Sequence, residues 1–146
     1  MIFAHGPLGW LSAGWLQRIW KIPGVTPRQG WWWLVIGAVG GVFPDVDLLY
    51  FHLVSAEVSH RQLPTHAVLF YVPLVVLVAS LARWRKAWFI YGAAWCFGLG
   101  VLGHLITDSV GGAIMWLWPF VTEPYGLFSI PAIAQSVHAT RVFLYN

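Results

Sequence analysis

Asp45 and Asp47 stand one residue apart at the end of a run that, from Trp31 onward, holds no other ionisable group. An ionised carboxylate taken out of water is costly unless a cation or hydrogen-bond donors meet it. Something must therefore hold these oxygens. Pro44 removes a backbone donor and disfavours helix for Phe43, so a break or kink is expected there that turns both side chains into a common space. His104 and Asp108 stand at i, i+4, which puts an imidazole and a carboxylate on one helix face, one turn apart. These are ligand types of zinc, manganese and iron sites, and a carboxylate can also hold an imidazole from behind. His60 and His66 bracket a short loop that ends at Pro64. Thr65 is expected to cap the following helix, with His66 in its first turn. His5 lies near the start of the chain, whereas His52 and His138 read as ordinary surface or core histidines.

The elements that must position these residues are apolar. A first segment runs from Ile2 to about Trp20, interrupted at Gly6-Pro7, and a turn-rich connection with Arg18, Lys21, Pro23, Gly24, Pro27 and Arg28 follows. The second segment runs from Trp31 to about Phe51, the third from about His66 to Ala82, and the fourth from Ala87 to about Thr107. With a span needing about 20 apolar residues, the reading is an all-α, polytopic membrane helical bundle of about four spans. Run antiparallel, these segments gather Arg18, Lys21, Arg28, Arg83, Arg85 and Lys86 at one end. The positive-inside tendency makes that end cytoplasmic. His5, Asp45, Asp47, His60, His66, His104 and Asp108 then all fall at the opposite, non-cytoplasmic end, at one level. That convergence makes all seven candidate metal ligands, for one to three divalent ions, zinc above all, with manganese or iron as alternatives.

Composition agrees with a membrane setting. Of 146 residues, 59% are hydrophobic and 9% charged, against roughly 25% charged in a soluble domain. The net charge of +3 comes from short basic clusters between apolar runs, which fits topology and lipid rather than nucleic acid. The segment from Met1 to Trp20 lacks a basic start, so a mature span or half-span is expected there and not a cleaved leader. Cys96 is the single cysteine and reads as a packed thiol. Ser109 to Val121 is apolar but short, a re-entrant or interfacial piece as readily as a span. Residues 1–121 form the expected membrane-embedded domain, and 122–146 a tail without assigned structure. Trp31, Trp32 and Trp33, with Trp116 and Trp118, read as interfacial aromatic belts.

The order of these motifs carries a resemblance. His5, then Gly-x-x-x-Pro-Asp-x-Asp at Gly40 to Asp47, His-Arg-x-x-x-Thr-His at His60 to His66, Gly-x-x-x-His-x-x-x-Asp at Gly100 to Asp108, and Trp118-Pro119-Phe120 together resemble the YdjM-like family of membrane-bound metal-dependent hydrolases. The chain carries Gln62-Leu63-Pro64 where that family has a Gly, and Ala67 in place of its Ser. More distantly, the family is similar to the helical zinc-dependent phospholipase C and nuclease P1 group. The resemblance implies metal-assisted hydrolysis of a phosphoester, lipid-like or small, inside a prokaryotic inner membrane. On that expectation one ion would be held by, for instance, His5, Asp45, His104 and Asp108, and a second, bridged by an Asp, by His60 and His66. Asp47 and Arg61 are the candidate catalytic residues, Arg61 as a clamp whose planar fork matches two phosphate oxygens.

Three other classes compete with this one. A proton or divalent-ion transporter would spread its polar residues through the membrane depth, often across a repeat, and this chain has neither feature. A di-iron membrane oxidase would show boxes of neighbouring histidines. A non-catalytic assembly protein with a structural polar cluster is compatible with everything in the sequence.

Overall fold

In the computed structural model, residues 2–22, 24–48, 53 and 63–127 are described. They form four α-helices: α1 (Ile2–Ile19), α2 (Pro27–Val42), α3 (Val68–Trp84) and α4 (Trp88–Gly111), with short 3-10 turns at Phe43–Val46 and Pro64–His66. Among the described residues there is no strand, only an isolated bridge between Ile114 and Tyr125. The chain is all-α over these residues. Helix α4 is long and apolar enough to cross a membrane, and α3 is a shorter apolar helix.

Local chemistry sets the boundaries. Thr26 and Gln29 form a capping box and Pro27 opens the helix, so α2 starts four residues before Trp31. Pro44 ends it: from Phe43 the chain tightens into 3-10 pitch, the break expected there. Pro7 does not interrupt α1, which runs through it. Thr65 does not cap α3. Ala67 occupies the cap position, and Thr65 and His66 belong to the 3-10 turn before it. From residue 112 to 127 the chain folds back without a further helix. Leu127 donates its N–H to the Ser109 carbonyl at 2.8 Å, and Ile114 packs against Tyr71, Val101 and Leu105.

All four helices present buried stripes at four-residue spacing, the row that meets a neighbouring helix, and three of these stripes end at the candidate ligands. On α1 the stripe is His5, Gly9 and Ala13; on α2, Trp33, Gly37 and Gly41, continuing to Asp45; on α4, Gly92, Cys96, Gly100, His104 and Asp108. Small residues fill the middle of each stripe, and a group able to bind metal stands at one end. Without side chains in the way, backbones approach closely. A Cβ at Gly9 or Gly100 would run into the Gly37 carbonyl, and one at Gly41 into the carbonyl of His5. So α1, α2 and α4 pack on one another, while α3 packs chiefly on α4 through the bulkier Tyr71 and Val75.

Trp33 departs from the expected belt. It is buried, its ring lies over Gly92, and its indole N–H donates to the Phe89 carbonyl at 3.0 Å. The four-residue phase of α2 turns it inward. Its neighbours Trp31 and Trp32 stay exposed at the same end.

Candidate metal centre

The close approach of three helices decides what their ends can do. Asp45 leaves the 3-10 turn after α2, His66 ends the 3-10 turn before α3, and His104 and Asp108 occupy the last two turns of α4. One nitrogen or oxygen from each of these four buried residues lies within 4.8 Å of all the others. His66 Nε2 stands 3.3 Å from His104 Nε2, 3.5 Å from Asp108 Oδ2 and 4.0 Å from Asp45 Oδ1. His104 Nε2 stands 3.6 Å from Asp45 Oδ1 and 3.7 Å from Asp108 Oδ2. Ligands at zinc bond lengths of 2.0–2.2 Å in a tetrahedron are separated by roughly 3.3–3.6 Å. The five spacings that involve an imidazole nitrogen run from 3.3 to 4.0 Å, at or above that edge. Two imidazole nitrogens and two carboxylate oxygens in this arrangement could hold a divalent ion.

The groups behind the four explain their orientation. His104 Nδ1 donates to the Gly41 carbonyl at 2.7 Å, so its Nε2 faces the centre. His66 Nδ1 donates to Asp47 Oδ2 at 2.9 Å, with the same result. Asp47 Oδ2 also accepts from the Thr65 hydroxyl, and the Thr65 carbonyl accepts from Tyr71 Oη at 2.9 Å. Fixing one ring nitrogen in this way sets the tautomer and aims the other at an ion. His5 reaches the outer carboxylate oxygens: Nδ1 lies 3.4 Å from Asp45 Oδ2 and Nε2 lies 3.5 Å from Asp108 Oδ1. Its ring centroid is 4.0 Å from that of His104.

Of the seven candidate ligands, Asp45, His66, His104 and Asp108 come together at ligand spacing, while His5 lies against the outer oxygens of Asp45 and Asp108 and Asp47 lies against His66. Entry direction sets this arrangement: His5 comes from the start of α1, and the 3-10 turn at Pro64–His66 carries His66 to the centre. His60 and Arg61 lie outside the described residues, as do His52 and His138. Sequence reasoning missed Gly41 and Tyr71 as supports. For Gly41 a signal was present, since it lies four residues from both Gly37 and Asp45.

Charge balance adds to the geometry. Asp45, Asp47 and Asp108 are all buried, and among the described residues their ion-pair partners are histidines. Burial pushes the His66 imidazole down, but Asp108 and Asp47 outweigh it and hold it at about 9. An imidazole so disposed carries positive charge at neutral pH, and binding a divalent ion there would release its proton. Asp47 Oδ1 is buried with no hydrogen-bond partner among the described residues.

Comparison with known proteins agrees with the motif order. No curated protein and no solved structure matches the chain. The family described as YdjM inner membrane protein matches residues 1–145, nearly the full length. With that match added to the buried Asp and His cluster at the helix ends, the chain belongs to the YdjM family of inner membrane proteins.

Proposed function

We propose that the chain is a four-span, metal-dependent hydrolase that cleaves a phosphoester of a lipid or lipid-like substrate at the non-cytoplasmic face of the inner membrane. The observation that carries this reading is the set of four buried ligand atoms within 4.8 Å of one another, with each imidazole nitrogen 3.3–4.0 Å from the other three groups and fixed from behind. When bound, a divalent ion supplies Lewis acidity and a water acidic enough to act as nucleophile near neutral pH. Asp45, His66, His104 and Asp108 would hold that ion. His5 spans the two outer carboxylate oxygens and keeps the inner ones aimed at the centre, and Asp47 holds the His66 ring. Arg61 is proposed to clamp the phosphate and His60 to serve a second ion. Zinc is the simplest occupant, being four-coordinate and indifferent to mixed nitrogen and oxygen ligands.

Helix dimensions and exposure support four spans. At 1.5 Å per residue, the four helices run from about 24 to about 36 Å, against a hydrocarbon core of about 30 Å. Their outward faces carry Leu11, Trp15, Val39, Leu77, Ile90 and Ile106, apolar as lipid requires. The side assignment rests on Arg18, Lys21, Arg28, Arg83, Arg85 and Lys86, all exposed at the end opposite the cluster.

The test is elemental analysis of the detergent-purified protein beside Asp45→Ala and His104→Ala variants that elute as folded protein. About one equivalent of zinc, manganese or iron is expected, lost in both variants, and the loaded protein should hydrolyse phosphoester lipids. Absence of bound metal after chelator-free purification and metal add-back would sink the reading.

A further inference from the structure

The surface of α1 carries a groove of about 520 Å³, lined by Trp10, Leu11, Gly14, Trp15 and Arg18 and by Leu34 of α2. These residues are ordered along the helix axis. Arg18 stands in the last turn of α1, at the basic end of the bundle; Gly14 and Trp15 lie a turn deeper, and Trp10 lies about 12 Å from Arg18. Gly14 leaves the floor open, since a Cβ there would meet only Leu34 Cδ2, at 3.5 Å. The surroundings are fixed: the Trp10 and Trp31 rings meet edge to face at 6.4 Å, and the Gln17 amide donates to the Gly30 carbonyl at 2.8 Å. Arg83 and Arg85 lie over the rings of Trp88 and Trp84. The exposed Arg18 guanidinium, by contrast, meets no carboxylate, carbonyl or ring among the described residues. Asp45, Asp47 and Asp108 stand at the opposite end of the bundle, and Glu123 follows α4.

We propose that this groove holds one anionic phospholipid, its phosphate paired with the Arg18 guanidinium and its glycerol and upper acyl carbons laid against Trp15, Leu11 and Trp10. The order of side chains along α1 matches the order of groups in such a lipid. A cation is outermost, an indole suited to the membrane interface comes next, and Leu11, Trp10 and Leu34 lie toward the middle of the bundle. A guanidinium fork donates to two phosphate oxygens at once. Charge selects the occupant. Arg18, Lys21, Arg28, Arg83, Arg85 and Lys86 gather at this end, and no described carboxylate neutralises them, so an anion is favoured over a zwitterion. A second copy of the chain in the same orientation would bring the same cations to face the first. The proposal draws on the membrane setting of the chain and is independent of the hydrolase reading.

The experiment uses the full chain purified in detergent and incubated with phosphatidylglycerol or with phosphatidylcholine of matched acyl chains. Retained lipid is counted by native mass spectrometry. The chain should keep phosphatidylglycerol at least about fivefold over phosphatidylcholine, the worth of one cation near an anionic lipid surface. Arg18→Gln should bring the two lipids level. Gly14→Leu fills the floor of the groove where a Cβ has room, and should lower phosphatidylglycerol retention by a similar factor. Trp15→Ala, which removes an exposed wall, repeats that test should the Gly14 variant not fold. Lys21→Gln removes the same charge from the same end but outside the groove, and should leave retention within about twofold. Equal retention of both lipids by the unmodified chain, or equal losses in Arg18→Gln and Lys21→Gln, would overturn the site and leave a diffuse basic surface. A lipid-free dimer that Gly14→Leu dissociates would overturn it in favour of a second copy. Metal content of the same samples separates the two readings: lipid preference without metal keeps this site and removes the hydrolase, and bound metal without lipid preference does the reverse.

Discussion

Helix α4 has two working faces, and they are built to opposite rules. Toward α1 and α2 it offers Gly92, Cys96, Gly100, His104 and Asp108, and the helices approach until backbone meets backbone. Toward α3 it offers Gly98, Val101 and Leu105 against Tyr71 and Val75, and a cavity remains. Small residues bring backbones together and therefore fix the positions of whatever the helix ends carry. Bulky ones leave room. The face that must hold atoms to within a few tenths of an ångström is the one with no side chains to adjust. The looser side contributes His66, which needs a chain of hydrogen bonds through Asp47, Thr65 and Tyr71 to stay in place.

The sharpest way to break this contrast is to add one methyl group to each face of the same helix. Gly100→Ala would drive a Cβ into the Gly37 carbonyl, with only backbone nearby to yield. We expect a loss of at least about 3 kcal/mol or outright failure to fold. Gly98→Ala meets Val75 Cγ1 at 3.0 Å, and since alanine is the better helix former its net effect should stay within about 1 kcal/mol. Thermal unfolding in detergent, followed by tryptophan fluorescence, measures both. Equal costs at the two positions would erase the distinction.

A smaller effect separates holding an ion from holding the fold. Asp47→Asn removes the carboxylate behind His66 without touching the four central atoms, so metal affinity should fall about 10–100-fold while stoichiometry stays the same. Competition with a chelator of known affinity reads this directly. An unchanged affinity would mean that His66 needs no support. Smallest of all, Trp33→Phe removes the bond to the Phe89 carbonyl at the far end of the bundle. About 1 kcal/mol of stability should go, with no change in metal affinity. A change in affinity would show that the two ends of the glycine-packed unit are coupled.

Much of the centre was legible because its residue types are expensive. Asp45, Asp47, His104 and Asp108 stand at the ends of apolar runs where charge needs a reason, and the antiparallel run of four segments brings their ends together. The four helices among the described residues and the break at Pro44 followed from similarly strong signals. Which residues share the centre of the cluster was less legible, because it depends on the side from which each element enters. His5 and His66 have the same chemistry, and no spacing rule says which stands behind a carboxylate and which beside it. Thr65 offered a second hydrogen-bond choice, cap or carboxylate, and tertiary contact with Asp47 decided it. Trp33 could have been separated from Trp31 and Trp32, for only position 33 shares a four-residue phase with Gly37, Gly41 and Asp45.

The wide sequence separation of the four central residues also orders events in time. Asp45 leaves the ribosome long before Asp108, and chains are made and inserted from the N-terminus. Until α4 arrives, Asp45 and His66 lack two of their three central neighbours, so an ion cannot be held by the full set. On the proposed reading, metal capture would therefore follow α4 and not precede it: a chain stalled before that helix lacks both His104 and Asp108, and with them the one described helix long and apolar enough to cross a membrane.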